Sequence, residues 1–287
     1  MKRMKRNKTQ RSLGVVITGG SAGLGYALAS SFLSAGDRVV ICGRNPQRLE
    51  AALQSLSIAV PEGEIYGIVC DVGDSQAGKA LSAFARDRLG TVDRWINNAG
   101  TAGKLKQPLW NLDPEDILET CSTNLSGSLL MCAEVVRLMD AQPSTSKETF
   151  HIFNMGFSSI GAAFSRSAVH HKASKRGVSE LTHFLSGELK ASGKTAIGVH
   201  ELSPGLVLTG LLLQDASPAA KKLFKVIAEP PEKVASTLVP KIRSITGSNR
   251  RIRFQPLVIT LFRAFAAITG SYSLFSNSLL SSFQRLL

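Results

Sequence analysis

Short apolar runs alternate with longer amphipathic stretches along residues 13–210 of the chain. Six short runs predict strands: "LGVVIT", "RVVICG", "IYGIVCD", "DRWINNAG", "FHIFNM" and "AIGVHELSPG". In the stretches between them, apolar residues recur at helical spacing. Strands that alternate with helices in this way form right-handed βαβ units and a parallel sheet with helices on both faces. The pattern therefore predicts an α/β fold, a doubly wound parallel sheet in a single domain.

After Gly210 the pattern changes to shorter helical pieces, which predict a helical C-terminal extension. We expect residues 211–250 to form a helical lid over a substrate and residues 251–287 to form an apolar or amphipathic tail. The tail carries leucine and phenylalanine at helical spacing close to three arginines, which favours peripheral membrane contact or binding to a partner. Packing against the parent domain or a second copy of the chain is the alternative, so a homo-oligomer stays open.

The net charge of +13 is concentrated at the two ends of the chain. Residues 1–12 form a basic N-terminal tail without an acidic residue, and basic residues also dominate from Lys221 onward, whereas the stretch between is nearly neutral. This segregation argues against a nucleic-acid-binding face on the domain and favours basic ends that meet an anionic surface, such as lipid headgroups. Basic tails that only aid solubility are the alternative.

The four cysteines show no CxxC pairing and lie mostly in apolar runs, which is typical of buried thiols in a reducing compartment. We therefore expect neither a disulfide framework nor a metal site. A secretory signal is not expected either, because the first apolar run ends in a glycine turn instead of a cleavage site.

A glycine-rich turn, "TGGSAGLG", follows the first predicted strand directly and opens a helix. Glycine lets the backbone turn tightly and approach a pyrophosphate, whose charge is held by the N–H groups of the helix N-terminus. The second strand ends in "CGRN", where an NAD-binding enzyme would offer an acid to the ribose. The guanidinium of Arg44 suits the 2′-phosphate of NADP instead. The sequence therefore predicts a site for NADP(H).

Three later segments complete this predicted site. Asp71 ends the third strand, where its side chain is placed to hold the adenine edge; an ordinary loop-capping aspartate is the alternative. "NNAG" closes the fourth strand with small residues, and "SPGLVLTG" is expected to pass over the nicotinamide. The predicted cofactor-binding residues are Thr18, Gly19, Ser21, Gly23, Leu24, Gly25, Arg44, Asp71, Val72, Asn98, Ala99, Gly100, Lys175, Pro204, Gly205, Val207 and Thr209.

With TGxxxGxG, "NNAG", the asparagine of "TNLSG", a serine thirteen residues before the YxxxK position and "SPG" in this order, the chain resembles the classical short-chain dehydrogenase/reductase family. The resemblance covers residues 13–210. It implies a Rossmann fold in one NADP-binding domain that also carries the catalytic residues. It further implies hydride transfer between NADP(H) and a carbonyl or alcohol carbon.

Stretches that lie largely outside these motifs, "HIFNM", "SPGLVLTGLLL" and "AEPPEKVASTLVPKIRSI", are similar to the chlorophyll b reductase branch of the family. That resemblance implies NADPH-dependent reduction of the 7-formyl group of chlorophyll b, or of a related pigment, to hydroxymethyl. A hydrophobic pigment substrate agrees with the basic, apolar C-terminal region. The resemblance also implies a location in the cytoplasm or on the stromal side of the plastid, peripheral to the thylakoid membrane.

In the family, a tyrosine protonates the carbonyl oxygen, and a lysine four residues later activates that tyrosine and holds the nicotinamide ribose. A serine orients the carbonyl, and an asparagine supports a proton relay. The resemblance assigns the lysine, serine and asparagine roles to Lys175, Ser158 and Asn124. His171 occupies the position of the tyrosine. No other register supplies one, because the tyrosines of the chain lie elsewhere, at Tyr26, Tyr66 and Tyr272.

His171 is able to act as the acid, because imidazole titrates near neutrality. We expect the like charge of Lys175 to disfavour its cationic form, and its shorter reach to require a bridging water. The neighbouring His170 is expected at the surface. Three hypotheses stay open: a reductase of a chlorophyll b-like pigment, a catalytically impaired NADP(H)-binding regulatory or scaffold protein at a membrane, and a reductase of another hydrophobic carbonyl compound.

Overall fold

Seven parallel strands form one sheet at the centre of the protein. The computed structural model describes residues 11–144, 149–157, 167–214, 217–218, 221, 224 and 228–254. The order across the sheet is β3-β2-β1-β4-β5-β6-β7, and every neighbouring pair is parallel. The strands are β1 (Gly14–Thr18), β2 (Arg38–Gly43), β3 (Ile65–Val69), β4 (Arg94–Asn97), β5 (Phe150–Met155), β6 (Ile197–Ser203) and β7 (Arg251–Arg253).

Several helices begin where the sequence supplies a cap or a proline. The side chain of Asn45 accepts a hydrogen bond from the N–H of Arg48 at 2.7 Å, and prolines occupy the first turn of α2, α4 and α8. A π-helical turn, Ser122–Ser126, joins α4 to α5. The described α-helices are α1 (Gly23–Ser34), α2 (Pro46–Ala59), α3 (Ala77–Leu89), α4 (Pro114–Cys121), α5 (Gly127–Asp140), α6 (Val169–Ala191), α7 (Gly210–Leu213) and α8 (Pro231–Arg243).

Two apolar cores lie on opposite faces of the sheet. Helices α1, α2 and α8 cover one face, where they pack on Val15 and Ile17 of β1. Helices α3, α5 and α6 cover the other face, where Val16 points. A strand buried on both faces has no polar side to alternate with, which explains its continuous apolar run.

The strand order reverses between β1 and β4, with β2 and β3 on one side and β5 to β7 on the other. In doubly wound sheets the carboxyl ends of the strands at such a switch point border a crevice that binds ligands. Thr18 and Asn97 end β1 and β4 at this place. The prediction of a doubly wound parallel sheet is confirmed, and the position of the crevice follows from it.

The sheet is one strand longer than the sequence predicts. Strand β7 pairs in parallel with β6, with Ile252 opposite Leu202, at the place where the predicted tail begins. The boundaries of the four predicted segments stay predictions, and residues 1–10 and 255–287 lie outside the described residues. Across the part of the chain that the structure describes, no helix combines the length and the apolar character needed to cross a membrane.

Candidate active site

Hydrogen bonds lock the glycine-rich turn after β1 to the end of β4. Thr18 Oγ1 accepts from the backbone N–H groups of Asn98 and Ala99, at 3.1 and 3.0 Å. Asn98 Nδ2 donates to the carbonyl oxygens of Thr18 and Gly19, at 3.0 and 3.1 Å. These bonds bring two predicted cofactor segments, the glycine turn and "NNAG", to the same edge of the sheet.

The turn forms a cradle in which three positions require glycine. Gly19 and Gly23 have φ angles of 64° and 55°, which residues with a β-carbon rarely adopt. A β-carbon on Gly25 would lie 2.2 Å from the carbonyl oxygen of Gly19. Within the described part of the chain, no side chain caps the N-terminus of α1, so the N–H groups of its first turn are available to an anion. These features fit the pyrophosphate of a dinucleotide.

Arg44, the predicted ligand of a 2′-phosphate, forms an ion pair across the crevice. Its Nη1 donates to Oε1 of Glu119 on α4 at 2.8 Å, and Nζ of Lys104 lies 3.6 Å from Oε2 of the same carboxylate. The hydrogen bond from Arg44 lowers the pKa of Glu119. Arg44 and Lys104 are more than half exposed, at 59% and 64% of their side chains. A phosphate at this place would compete with Glu119 for two cations.

Two further predicted segments adopt loops at the same edge. Asp71 Oδ1 accepts from the N–H of Gly73 at 3.0 Å, so this side chain caps its own loop, and its contact with adenine stays a prediction. The "SPG" loop turns at Gly205, whose φ is 76°. It returns to the glycine cradle, since a β-carbon on Gly23 would lie 3.1 Å from Cγ2 of Thr209.

Asn124 is wholly buried in the π-helical turn and organises the other end of the crevice. Its Oδ1 accepts from the N–H of Thr101 at 2.9 Å, and its Nδ2 donates to the carbonyl of Thr101 at 2.9 Å. Nδ2 also donates to Oγ of Ser174 on α6 at 3.0 Å. The amide therefore holds the loop after "NNAG" against α6, and π-helical turns recur at functional sites of this kind.

Lys175 reaches the same place from α6. A β-carbon built on Gly100 would lie 3.0 Å from Nζ of Lys175 and 3.0 Å from Oδ1 of Asn124, so both atoms flank this glycine. Lys175 is only 9% exposed, and this burial lowers its pKa to about 8. A side chain at position 100 would displace the amine of Lys175 or the amide of Asn124, which explains the glycine at this position.

His171 lies one helical turn before Lys175 and is 6% exposed. Its ring meets the ring of Phe157 edge-on, with the centroids 5.3 Å apart, and its buried Nδ1 has no hydrogen-bond partner among the described residues. Burial, followed by the charge of Lys175, lowers the pKa of His171 to about 4. The sequence predicts the effect of Lys175, but burial is the larger cause. His171 is therefore neutral at pH 7.

His170 lies inside the protein, so the expectation of a surface residue is wrong. It is 3% exposed, and its Nε2 lies 4.0 Å from Oδ2 of Asp116 on α4. Asp116 accepts from the N–H of Lys104 with both carboxylate oxygens, at 2.8 and 3.0 Å. A β-carbon on Gly103 would lie 2.3 Å from Nε2 of His170. The loop that carries Lys104 thus covers His170. The helical pattern of α6 does not predict this burial, because the loop belongs to another part of the chain.

Comparison with known proteins identifies the family. The family model described as short chain dehydrogenase matches residues 14–219, which is well over half of the chain. The chain belongs to the short-chain dehydrogenase family. The resemblance found in the sequence motifs is confirmed.

This short-chain dehydrogenase is similar to two proteins of rice, Oryza sativa subsp. japonica, that are named as chlorophyll(ide) b reductases. One, "Chlorophyll(ide) b reductase NOL, chloroplastic", is 42% identical over 80% of this chain and 66% of its own length. The other, "Probable chlorophyll(ide) b reductase NYC1, chloroplastic", is 40% identical over 84% of this chain and 49% of its own length. The chain thus spans 66% of the length of the first relative and about half of the second.

A solved structure has the same fold. A variant of actinorhodin polyketide ketoreductase with NADPH superimposes with a TM-score of 0.69 and 26% sequence identity. The match covers 85% of this chain and 96% of that chain. The fold of this chain is thus similar to the fold of that ketoreductase.

Within this short-chain dehydrogenase, the structure brings Asn124, His171 and Lys175 to one end of the crevice, whereas Ser158 lies outside the described residues. The roles of all four stay predictions. Sequence reasoning missed Lys104, Glu119 and Ser174. Of these, only Ser174 carried a local signal, because it directly precedes Lys175 on the helix that the motif marks.

Proposed function

We propose that the protein is an NADPH-dependent reductase that converts the 7-formyl group of chlorophyll b, or of a related pigment, to hydroxymethyl. The observation that carries the proposal is the convergence of Lys175 and Asn124 beside Gly100, next to a glycine cradle at the switch point of the sheet. The substrate class rests on the similarity to the two rice relatives.

The residues present fit a dinucleotide phosphate. The cradle from Gly19 to Gly25 would hold the pyrophosphate, and the cations of Arg44 and Lys104 would hold the 2′-phosphate. Lys175 would hold the nicotinamide ribose. When bound, the reduced nicotinamide supplies the hydride that the formyl carbon receives. NADPH in the related ketoreductase supports this choice of cofactor.

The residues of the chain itself orient the reacting end and supply a proton. Asn124 fixes Thr101 through two hydrogen bonds and fixes α6 through Ser174. That bracing keeps Lys175 beside the place where the carbonyl oxygen would develop negative charge. Burial of Lys175 keeps bulk water away from the amine, which makes its interaction with a substrate stronger than in solvent.

A catalytically impaired NADP(H)-binding protein with a regulatory or scaffold role at a membrane is the second candidate. The observation that favours it is His171, because an imidazole that stays neutral at pH 7 is a poor replacement for the proton-donating tyrosine of the family. Such a protein would bind NADPH tightly and reduce no aldehyde.

Turnover by purified protein distinguishes the candidates. The native chain and the His171→Tyr variant are incubated with NADPH and chlorophyll b or chlorophyllide b, and the hydroxymethyl product is separated by chromatography. NADPH binding is followed in parallel by nucleotide fluorescence. Gly25→Val, whose side chain collides with the carbonyl of Gly19, is the binding-negative control.

Product from the native chain supports the reductase. NADPH binding without product from any pigment or other hydrophobic aldehyde, in both the native chain and His171→Tyr, overturns the reductase in favour of the scaffold. Product from other hydrophobic aldehydes but not from the pigments points to a reductase of a different carbonyl compound.

The location follows from the same similarity. Both rice relatives are named as chloroplastic, which supports a location in the plastid for this chain. Contact of the predicted tail, residues 251–287, with the thylakoid surface stays a prediction, because residues 255–287 lie outside the described part of the chain. Imaging of the full chain, with and without the tail, fused to a fluorescent protein in leaf cells would test both points.

A further inference from the structure

Lys175 is the cationic side chain placed at the reacting end of the crevice. Its Nζ flanks Gly100 together with Oδ1 of Asn124. Among the described residues, this Nζ has no hydrogen-bond or ion-pair partner. Asn124 cannot be a proton source, because its amide is already committed to Thr101 and Ser174. An ammonium carries three N–H donors, so Lys175 has a donor for a substrate oxygen beside those that would hold the nicotinamide ribose.

His171 is poorly suited to the role that its position suggests. Its ring packs edge-on against Phe157, and its buried Nδ1 has no hydrogen-bond partner among the residues that the structure describes. Among the described residues, the charged groups that act on His171 include no carboxylate that would stabilise an imidazolium; they are the cations Lys175 and Lys106, together with the ring of His170. The chain thus keeps a neutral ring where the family has a phenol.

We propose that Lys175 itself donates the proton to the carbonyl oxygen of the substrate, directly from Nζ and without a tyrosine or histidine as intermediary. The inference deepens the proposed reductase function and rests on it. With the reduced dinucleotide bound, its hydride would go to the carbonyl carbon and the proton of Nζ to the oxygen, which would leave an alcohol, the oxidised dinucleotide and a neutral amine. The amine regains a proton from water in the crevice, so the net reaction consumes one proton for each NADPH oxidised.

The electrostatic surroundings of Lys175 suit a proton donor. Among the charged and titratable groups nearby, His171 lies on the same helix, His170 and Lys106 lie beyond it, and Asp116 on α4 faces His170. None of them neutralises Lys175, and burial sets its pKa at about 8. Ammonium therefore predominates at pH 7 but still releases its proton readily, which is the compromise that general acids need.

The test uses the full chain with chlorophyllide b and NADPH, and measures kcat/KM from pH 6 to 10 together with the Kd for NADPH. We expect the native rate to fall as the pH rises through about 8, the pKa of Lys175. Lys175→Arg keeps a cation, but a guanidinium does not release its proton, so kcat/KM should drop roughly 100-fold or more while the Kd for NADPH stays within about threefold.

His171→Phe should lower kcat/KM by at most about threefold and keep the same fall near pH 8, because general-acid losses are far larger than this. Lys172→Met, on the same helix, is the control for loss of a lysine and should leave both measurements unchanged. A loss of 100-fold or more in His171→Phe, with Lys175→Arg still active, overturns the proposal and makes His171 the donor.

The remaining outcomes separate this inference from the proposed function. Turnover by His171→Tyr but not by the native chain overturns Lys175 as the proton donor. It also shows that the rest of the reductase site is intact and that the native chain is catalytically impaired. Absence of turnover in every variant, His171→Tyr included, overturns the reductase function and Lys175 as donor together. A native pH profile that is flat through pH 8 also contradicts the donor role.

Discussion

The two ends of the crevice use charge in opposite ways. At the end proposed to hold adenosine, the adenosine end, Arg44 and Lys104 are exposed and share the carboxylate of Glu119. At the end proposed to hold nicotinamide, the nicotinamide end, Lys175 and His171 are buried, and the structure provides no carboxylate partner for either among its described residues. An exposed ion pair contributes only about 0–1 kcal/mol, so a phosphate can replace it. A buried, unpaired group has a strongly shifted pKa instead, which suits chemistry better than recognition.

The largest expected effect is on stability at the nicotinamide end. The folded protein lowers the pKa of Lys175 to about 8 from the usual 10.5. Between these values the unfolded chain binds more protons, so the contribution of Lys175 to the free energy of unfolding rises with pH through this window and is least favourable below pH 8. At 1.36 kcal/mol per pH unit, the penalty below pH 8 is about 3 kcal/mol.

Lys175→Met should therefore raise the free energy of unfolding by about 3 kcal/mol at pH 7, and this advantage should shrink as the pH rises from 8 towards 10.5. Urea unfolding at a series of pH values measures it. Lys104→Met, which removes an exposed lysine at the adenosine end, is the matched control and should change stability by less than about 0.5 kcal/mol. If the free energies of unfolding of the native chain and of Lys175→Met differ by the same amount at every pH, the lowered pKa of Lys175 is contradicted.

A smaller effect is expected on cofactor choice at the adenosine end. Arg44→Ala should weaken NADPH binding about tenfold, because a charge-assisted contact with the 2′-phosphate is lost, and should change NADH binding by less than about twofold. Titration of nucleotide fluorescence gives both dissociation constants. Arg48→Ala, an exposed arginine four residues further along, serves as the control. Equal losses for NADPH and NADH would mean that Arg44 does not read the 2′-phosphate.

The smallest effect is expected from the competing carboxylate. Glu119→Gln frees Arg44 and Lys104 and should tighten NADPH binding about two- to threefold, the size of one exposed ion pair. The gain should fade at high ionic strength, since salt screens exposed charges. Glu115→Gln on the same helix is the matched control. If Glu119→Gln weakens NADPH binding, the carboxylate holds the cations in place instead of competing for them.

Local signals predicted the sheet and the glycine cradle well. The apolar runs of β1 to β6 and the TGxxxGxG turn depend on neighbouring residues, which a sequence displays directly. Strand β7 escaped prediction because "RIR" holds one apolar residue, Ile252, and therefore no period. Its pairing with β6 depends on an existing strand edge, which only the folded sheet supplies.

The contacts across the crevice could not be predicted from the local sequence pattern. Arg44 was predicted as a phosphate ligand, but its partner Glu119 lies 75 residues away, and nothing near Glu119 marks it. The direction of the pKa shift of His171 was predicted from the charge of Lys175, whereas its main cause, burial, depends on packing of α6 against other segments. The same packing buries His170, which adjacency to a catalytic motif could not show.

The π-helical turn that carries Asn124 has a consequence for how this chain can change over generations. Each residue added to or removed from a helix rotates all that follows by about 100°. One insertion or deletion within Ser122–Ser126 would thus aim the amide away from Thr101 and Ser174. Substitutions elsewhere in the turn disturb the aim far less. Among homologous chains, the number of residues in this segment should therefore vary less than the identity of those residues.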